Sequence, residues 1–203
     1  MGTAGWQTFH QHEALTTRLA NILEEYPPGV STLREYVQNA DDAGASTLVL
    51  CLDASTAQRA TGYPTPELAD YAGPALLVYN DATFTERDFA SISSIGKSRK
   101  REDSATIGRY GLGFNVSYHF TEVVQFVSGD DIVLFDPHGR ALPDGQLGMR
   151  ATYTSGRLGA QYPGLLDPLL RPLRQLEDSL EDRVAEYGAS EAVGVGGLRS
   201  VVV

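Results

Sequence analysis

The sequence predicts an α/β sandwich in which a mixed or antiparallel sheet is covered on one face by helices. Three observations carry this expectation. Apolar stripes of helical period run between residues 15 and 40, and short apolar runs at 46–53 and 75–79 are bounded by turn formers. A turn signal, Ser128-Gly129-Asp130-Asp131, then separates two more apolar runs. Hydrophobic residues make up 42% of the 203 and charged residues 21%, a balance that supports a buried core rather than a disordered chain. The length suits one domain plus an appendage.

Leu15, Leu19, Ile22, Leu23 and Tyr26 fall three or four residues apart and predict a first helix that ends at Pro27-Pro28-Gly29. A second helix is expected from near Ser31-Thr32. Its apolar residues Leu33, Tyr36, Val37 and Ala40 share one face, Glu35, Asn39 and Asp42 the opposite one, and Gly44 is placed to stop it. The runs at 46–53 and 75–79 read as strands, and the intervening 54–74, with Gly62, Pro64, Pro66 and Gly73, as a loop or insertion. Thr85 followed by Asp88 resembles a capping box, with Phe89, Ile92 and Ile95 as the buried face of a third helix ending near Gly96.

From Lys97 to Asp103 six of seven residues are charged, the mark of a solvated loop. It leads into Gly108-Arg109-Tyr110-Gly111-Leu112-Gly113-Phe114. Residues 122–128 and 131–135 then form the expected hairpin, and Leu166, Leu169, Leu173, Leu176, Leu180 and Val184 predict a helix after a turn broken by Pro168 and Pro172. No internal repeat is visible.

A formal charge of −10 opposes binding to nucleic acid through a broad basic surface, so no nucleic-acid partner is expected. It leaves a nucleotide open, because a few backbone amides and a metal ion can hold one within an acidic protein. Cys51, the single cysteine, permits no internal disulfide and reads as a buried structural thiol. The first residues lack a basic region followed by an apolar core, Trp6 breaks the myristoylation pattern, and no apolar run reaches the roughly 18 residues of a membrane span. A cytoplasmic protein without a membrane partner is expected.

Glu35 and Asn39, four residues apart on one helix, point the same way. A carboxamide oxygen can ligate Mg²⁺, a carboxylate can accept a proton from attacking water, and Asp42 could orient either. The same spacing equally describes a solvated helix face. The run Gly108-x-x-Gly111-x-Gly113 lets backbone amides approach an anion, although glycine runs are often only turns. It lacks both the Gly-Lys-Ser/Thr ending of a P-loop and the preceding strand of a Rossmann fingerprint. His119 and His138 have no ligand cluster around them and read as structural.

The segments LREYVQNADDAGA (33–45), LVYNDATFTERDFASISSIGKSRK, GRYGLGFNVSYHFTE and SGDDIVLFDPHGR occur here in one order and spacing. Together they resemble the sacsin-type repeat modules of the GHKL (Bergerat) ATPase superfamily, which includes heat-shock chaperones, DNA gyrase, MutL and sensor histidine kinases. The resemblance covers roughly residues 8–160, leaving 161–187 as a helical segment and 188–203 as a poorly structured tail. It implies an ATP-binding domain of a chaperone or protein-quality-control protein, with ATP and Mg²⁺ as cofactors and client proteins or other chaperones as partners. By position, Glu35 matches the general base and Asn39 the Mg²⁺ ligand. Gly108, Gly111 and Gly113, with the backbone of Phe114 and Asn115, match the phosphate loop, and Lys97 the lid side of the pocket. Asn80 stands where the superfamily has its adenine-binding Asp, with Asp81 beside it and no glycine pair after it. No segment after residue 160 reads as the strand that usually closes the sheet. The alternative is an interaction module that keeps the fold with little or no nucleotide binding.

Overall fold

A computed structural model describes residues 13–54, 62–94, 113–153, 157–171 and 200–202. In chain order its elements are helices α1 (Leu15–Glu25) and α2 (Val30–Asp42), strands β1 (Leu48–Asp53) and β2 (Ala75–Asn80), and helix α3 (Glu86–Ile92). Strands β3 (Val124–Ser128), β4 (Asp131–Phe135) and β5 (Gly148–Thr152), helix α4 (Arg157–Gln161) and strand β6 (Ser200–Val202) follow. Short 3₁₀ helices lie at Leu68–Tyr71, Gly113–His119 and Pro143–Gly145, and a helical turn at 167–171.

The strands form one antiparallel sheet in the order β1-β2-β6-β3-β4-β5. Alternation sorts their side chains onto two faces. On the first, Leu76 and Val78 of β2 pack with Tyr36, Leu33 and Val116, while Val124, Phe126 and Val133 pack with Phe89, Ile92 and Phe114. This face lies under α2, α3 and the 113–119 helix. On the second, Leu77, Val127, Ile132 and Leu134 pack against Leu68, Ala141, Leu142, Leu165 and Leu169. The expectation of cover on one face is therefore corrected.

The second cover comes from segments without a long periodic stripe. The 54–74 stretch, expected as a loop or insertion, contributes Leu68 and Ala72, each 2% exposed. The β4–β5 connection is shaped by Asp136, a buried carboxylate that accepts from the backbone amides of His138, Ala141 and Leu142, which turns Ala141 and Leu142 inward. The 167–171 turn is pinned to the end of β1 by Arg171, which donates to Asp53 at 2.8 Å, to Asp167 at 3.1 Å and to the Ala72 carbonyl at 3.0 Å. Asp53 is buried, and Arg171 meets its Oδ2 through both Nε and Nη2 while also donating to Asp167 and the Ala72 carbonyl, so the guanidinium is well satisfied away from water.

Two helix signals match the structure. Thr85 Oγ1 accepts from the Asp88 amide while the Asp88 carboxylate accepts from the Thr85 amide, a complete capping box for α3. Gly44 follows α2 in the left-handed region at φ 70°, and the Ala45 amide returns to the Ala40 carbonyl. Cys51, expected to be buried, is only partly covered, because β1 is an edge strand whose Leu50 and Leu52 are also exposed.

The sheet contains two strands not foreseen. β5 is one, with a mostly exposed edge pattern that gives no apolar signal. β6 is the other. The sheet is closed by Ser200–Val202, which pairs with β2 through Val78, Tyr79 and Asn80 and with β3 through Phe126, Val127 and Ser128. Three residues are too few for periodicity to reveal. Among the described residues no helix is long and apolar enough to cross a membrane.

Candidate functional site

The site is built where α2 meets the 113–119 helix. α2 turns a wider face inward than its apolar residues alone define: Thr32, Glu35, Tyr36 and Ala40 are buried, while Val37, expected in the core, is 51% exposed. Glu35, placed by pattern on the solvated face, is 5% exposed. The reason is the 113–119 helix, whose residues Gly113 to Ser117 are themselves buried against this side of α2 and α1.

Gly113 is the point of closest approach. A Cβ added there would stand 2.8 Å from Glu35 Oε2, 3.3 Å from Asn39 Oδ1 and 3.5 Å from Asn39 Nδ2. Both polar side chains thus converge on backbone that carries no side chain, and the end of the glycine run faces the carboxylate–carboxamide pair. Phe114 and Asn115 follow, 8% and 1% exposed. The Phe114 ring points into the core against Phe126 and Phe135, so only its backbone is available to a ligand.

Two bonds tie the 113–119 helix to its neighbours. Tyr36 and Ser117 share a buried hydroxyl–hydroxyl hydrogen bond of 3.0 Å, and His119 Nε2 bonds the Tyr26 carbonyl at the end of α1. The structural reading of His119 holds. Sequence patterning assigned Tyr36 to the core and gave no signal for Ser117, because its partner lies 81 residues away. Thr32, one turn before Glu35 and Tyr36, is 1% exposed, and its hydroxyl has no hydrogen-bond partner among the described residues.

The other candidates make contacts of their own. Asn80 Oδ1 accepts from the Ala82 amide at 3.0 Å, closing a local turn. The Asp81 carboxylate accepts from the Ser46 hydroxyl and from the amides of Ser46 and Thr47, which lashes the end of β2 to the start of β1. The Ser46 bond first, then the Thr47 amide, hold Asp81 below the usual carboxylate range. Asp42 is exposed on the last turn of α2. Lys97, Gly108 and Gly111 lie outside the described residues.

A helix-borne Glu/Asn pair closed by a glycine backbone, over one face of an antiparallel sheet, describes an α/β domain with a polar contact between a helix and the end of a glycine run. The family is shown by comparison. The model of the Sacsin domain matches residues 12–163, and the chain belongs to that family. Human Sacsin is 44% identical over 120 residues, which are 59% of this chain and 3% of that protein's length. The chain therefore corresponds to a small part of its relative.

Proposed function

We propose that the junction of α2 and the glycine run binds ATP with Mg²⁺ and supports its hydrolysis, in the manner of the GHKL fold. The carrying observation is the approach of Gly113 to both Glu35 and Asn39, which puts a carboxylate, a carboxamide and side-chain-free backbone in one contact. The donor set fits the group. An amide oxygen on Asn39 is a hard ligand for Mg²⁺, and a Cβ at 113 would fill the cradle. When bound, the ion would neutralise charge on the phosphates. The amides of Gly113, Phe114 and Asn115 would lie against the phosphates together with Gly108 and Gly111, and Lys97 would approach from the lid side. Glu35 would hold water in line with the terminal phosphate and accept its proton. Asp42, Asn80 and Asp81 complete the proposed set, Asn80 through its remaining amide hydrogens at the adenine edge. On this reading the domain serves a cytoplasmic chaperone or quality-control protein acting on client polypeptides.

Titration with Mg-ATP tests it. Asn39→Ala should abolish saturable binding, whereas Glu35→Ala should keep binding and lose phosphate release. Absence of saturable binding by the unmodified chain would refute the proposal. It would favour an interaction module instead, a reading supported by the engagement of Asn80 Oδ1 and the Asp81 carboxylate in internal hydrogen bonds.

A further inference from the structure

The distance between Glu35 and the backbone at Gly113 must be set by something, because 70 residues of chain, 43–112, separate α2 from the 113–119 helix. Apolar packing alone is non-directional and tolerates sliding. A direct polar bond crosses between these two elements, Tyr36 Oη to Ser117 Oγ, 3.0 Å long, between residues 6% and 3% exposed. Tyr36 directly follows Glu35, and Ser117 lies about one turn after Gly113. The tyrosine ring is held in turn by Val78 and Val116. Burial, opposed in part by the Ser117 bond, pushes the phenol up from its ordinary range.

We propose that Tyr36 and Ser117 are a positioning pair that sets the gap between the Glu35 carboxylate and the Gly113 backbone. The proposal rests on the nucleotide reading above and assigns the pair no contact with the reacting atoms. Removing the phenol hydroxyl leaves the Ser117 hydroxyl buried and unpaired, which frees the 113–119 helix to shift relative to Glu35. A shift there misplaces the proton acceptor more than it weakens nucleotide contacts made elsewhere.

Kinetics on the intact chain separate this from a merely structural role. Tyr36→Phe should lower kcat for Mg-ATP hydrolysis about tenfold while KM stays within about twofold, at a temperature where the variant is folded. Ser117→Ala should do the same. The double variant should be no worse than either single, because the two hydroxyls act as one unit. Additive losses, or an unchanged kcat in both single variants, would overturn the proposal. Amide hydrogen exchange over residues 113–117 provides a readout that needs no nucleotide. Tyr36→Phe should lose protection there and not in β3 and β4, and unchanged protection would overturn the pair's role. If the unmodified chain fails to bind Mg-ATP, the nucleotide reading fails, while exchange still decides whether the pair fixes the gap.

Discussion

At the scale of single residues, the shape of the site depends on the missing side chain at 113. The atoms nearest to an added Cβ there are all at the ends of the Glu35 and Asn39 side chains, not backbone. Gly113→Ala should therefore be accommodated by shifting the ends of the Glu35 and Asn39 side chains, at a cost of about 1 kcal/mol in stability. On the nucleotide reading proposed above, hydrolysis should nonetheless fall by about tenfold or more, since the proposed proton acceptor has moved. Thermal denaturation together with turnover checks this, and a variant that unfolds or stays fully active would contradict it. Glu35, Asn39 and Gly113 were all legible as residue types in the sequence. Their convergence followed only from the family resemblance: helical spacing put Glu35 on a solvated face, and the packing of the 113–119 helix turns that face inward.

At the scale of elements, the signals that could be read are those in which neighbours in sequence satisfy each other. The capping box is the clearest case: Thr85 and Asp88 are three residues apart and both bonds form. Thr85→Ala should cost about 1 kcal/mol, visible as a lower Tm. An unchanged Tm would mean that tertiary contacts hold α3 without its cap. Arg150 adds a tie that no local pattern contains. It bridges Glu86 at the start of α3 and Asp131 at the start of β4, and its guanidinium stacks 3.7 Å over the Phe89 ring. The second cover of the sheet escaped notice for the same reason. Leu68, Ala141, Leu142 and Leu165 come from short, dissimilar segments whose apolar residues have no common period.

For the whole molecule, protonation sets limits to stability on both sides of neutrality. Asp81, Glu86 and Asp131 are each held below the usual carboxylate range, by the Ser46 bond in the first and by Arg150 in the other two. Their contribution is present above about pH 4, the unfolded carboxylate value, and is lost as pH falls through the folded values. Burial raises Tyr36, and pushes Tyr63 up to about 12. These favour the fold below about pH 10 and cease to do so as pH rises through the folded values. Tm measured from pH 3 to about 11.5 should fall at both ends, and Tyr63→Phe, which deletes a buried hydroxyl without a partner among the described residues, should soften the alkaline fall. An alkaline limb unchanged by Tyr63→Phe would exclude that phenol as a contributor.

The sheet's middle position is filled by β6, so among the described residues the ladders of β1-β2 and β3-β4-β5 are joined through Ser200–Val202. Val201→Pro removes an amide from that strand and should cost about 2 kcal/mol, or roughly 4–8 °C in Tm. A Tm within 1 °C or so of the parent would show that the strand is dispensable. A polypeptide is made in one direction, and β6 is the last of these six strands to leave the ribosome. Until it does, a two-stranded and a three-stranded half-sheet each carry an open inner edge, two unsatisfied templates waiting in the same nascent chain. For a protein of this family, the interval before residue 202 is translated is when its own strand edges most need shielding from other chains.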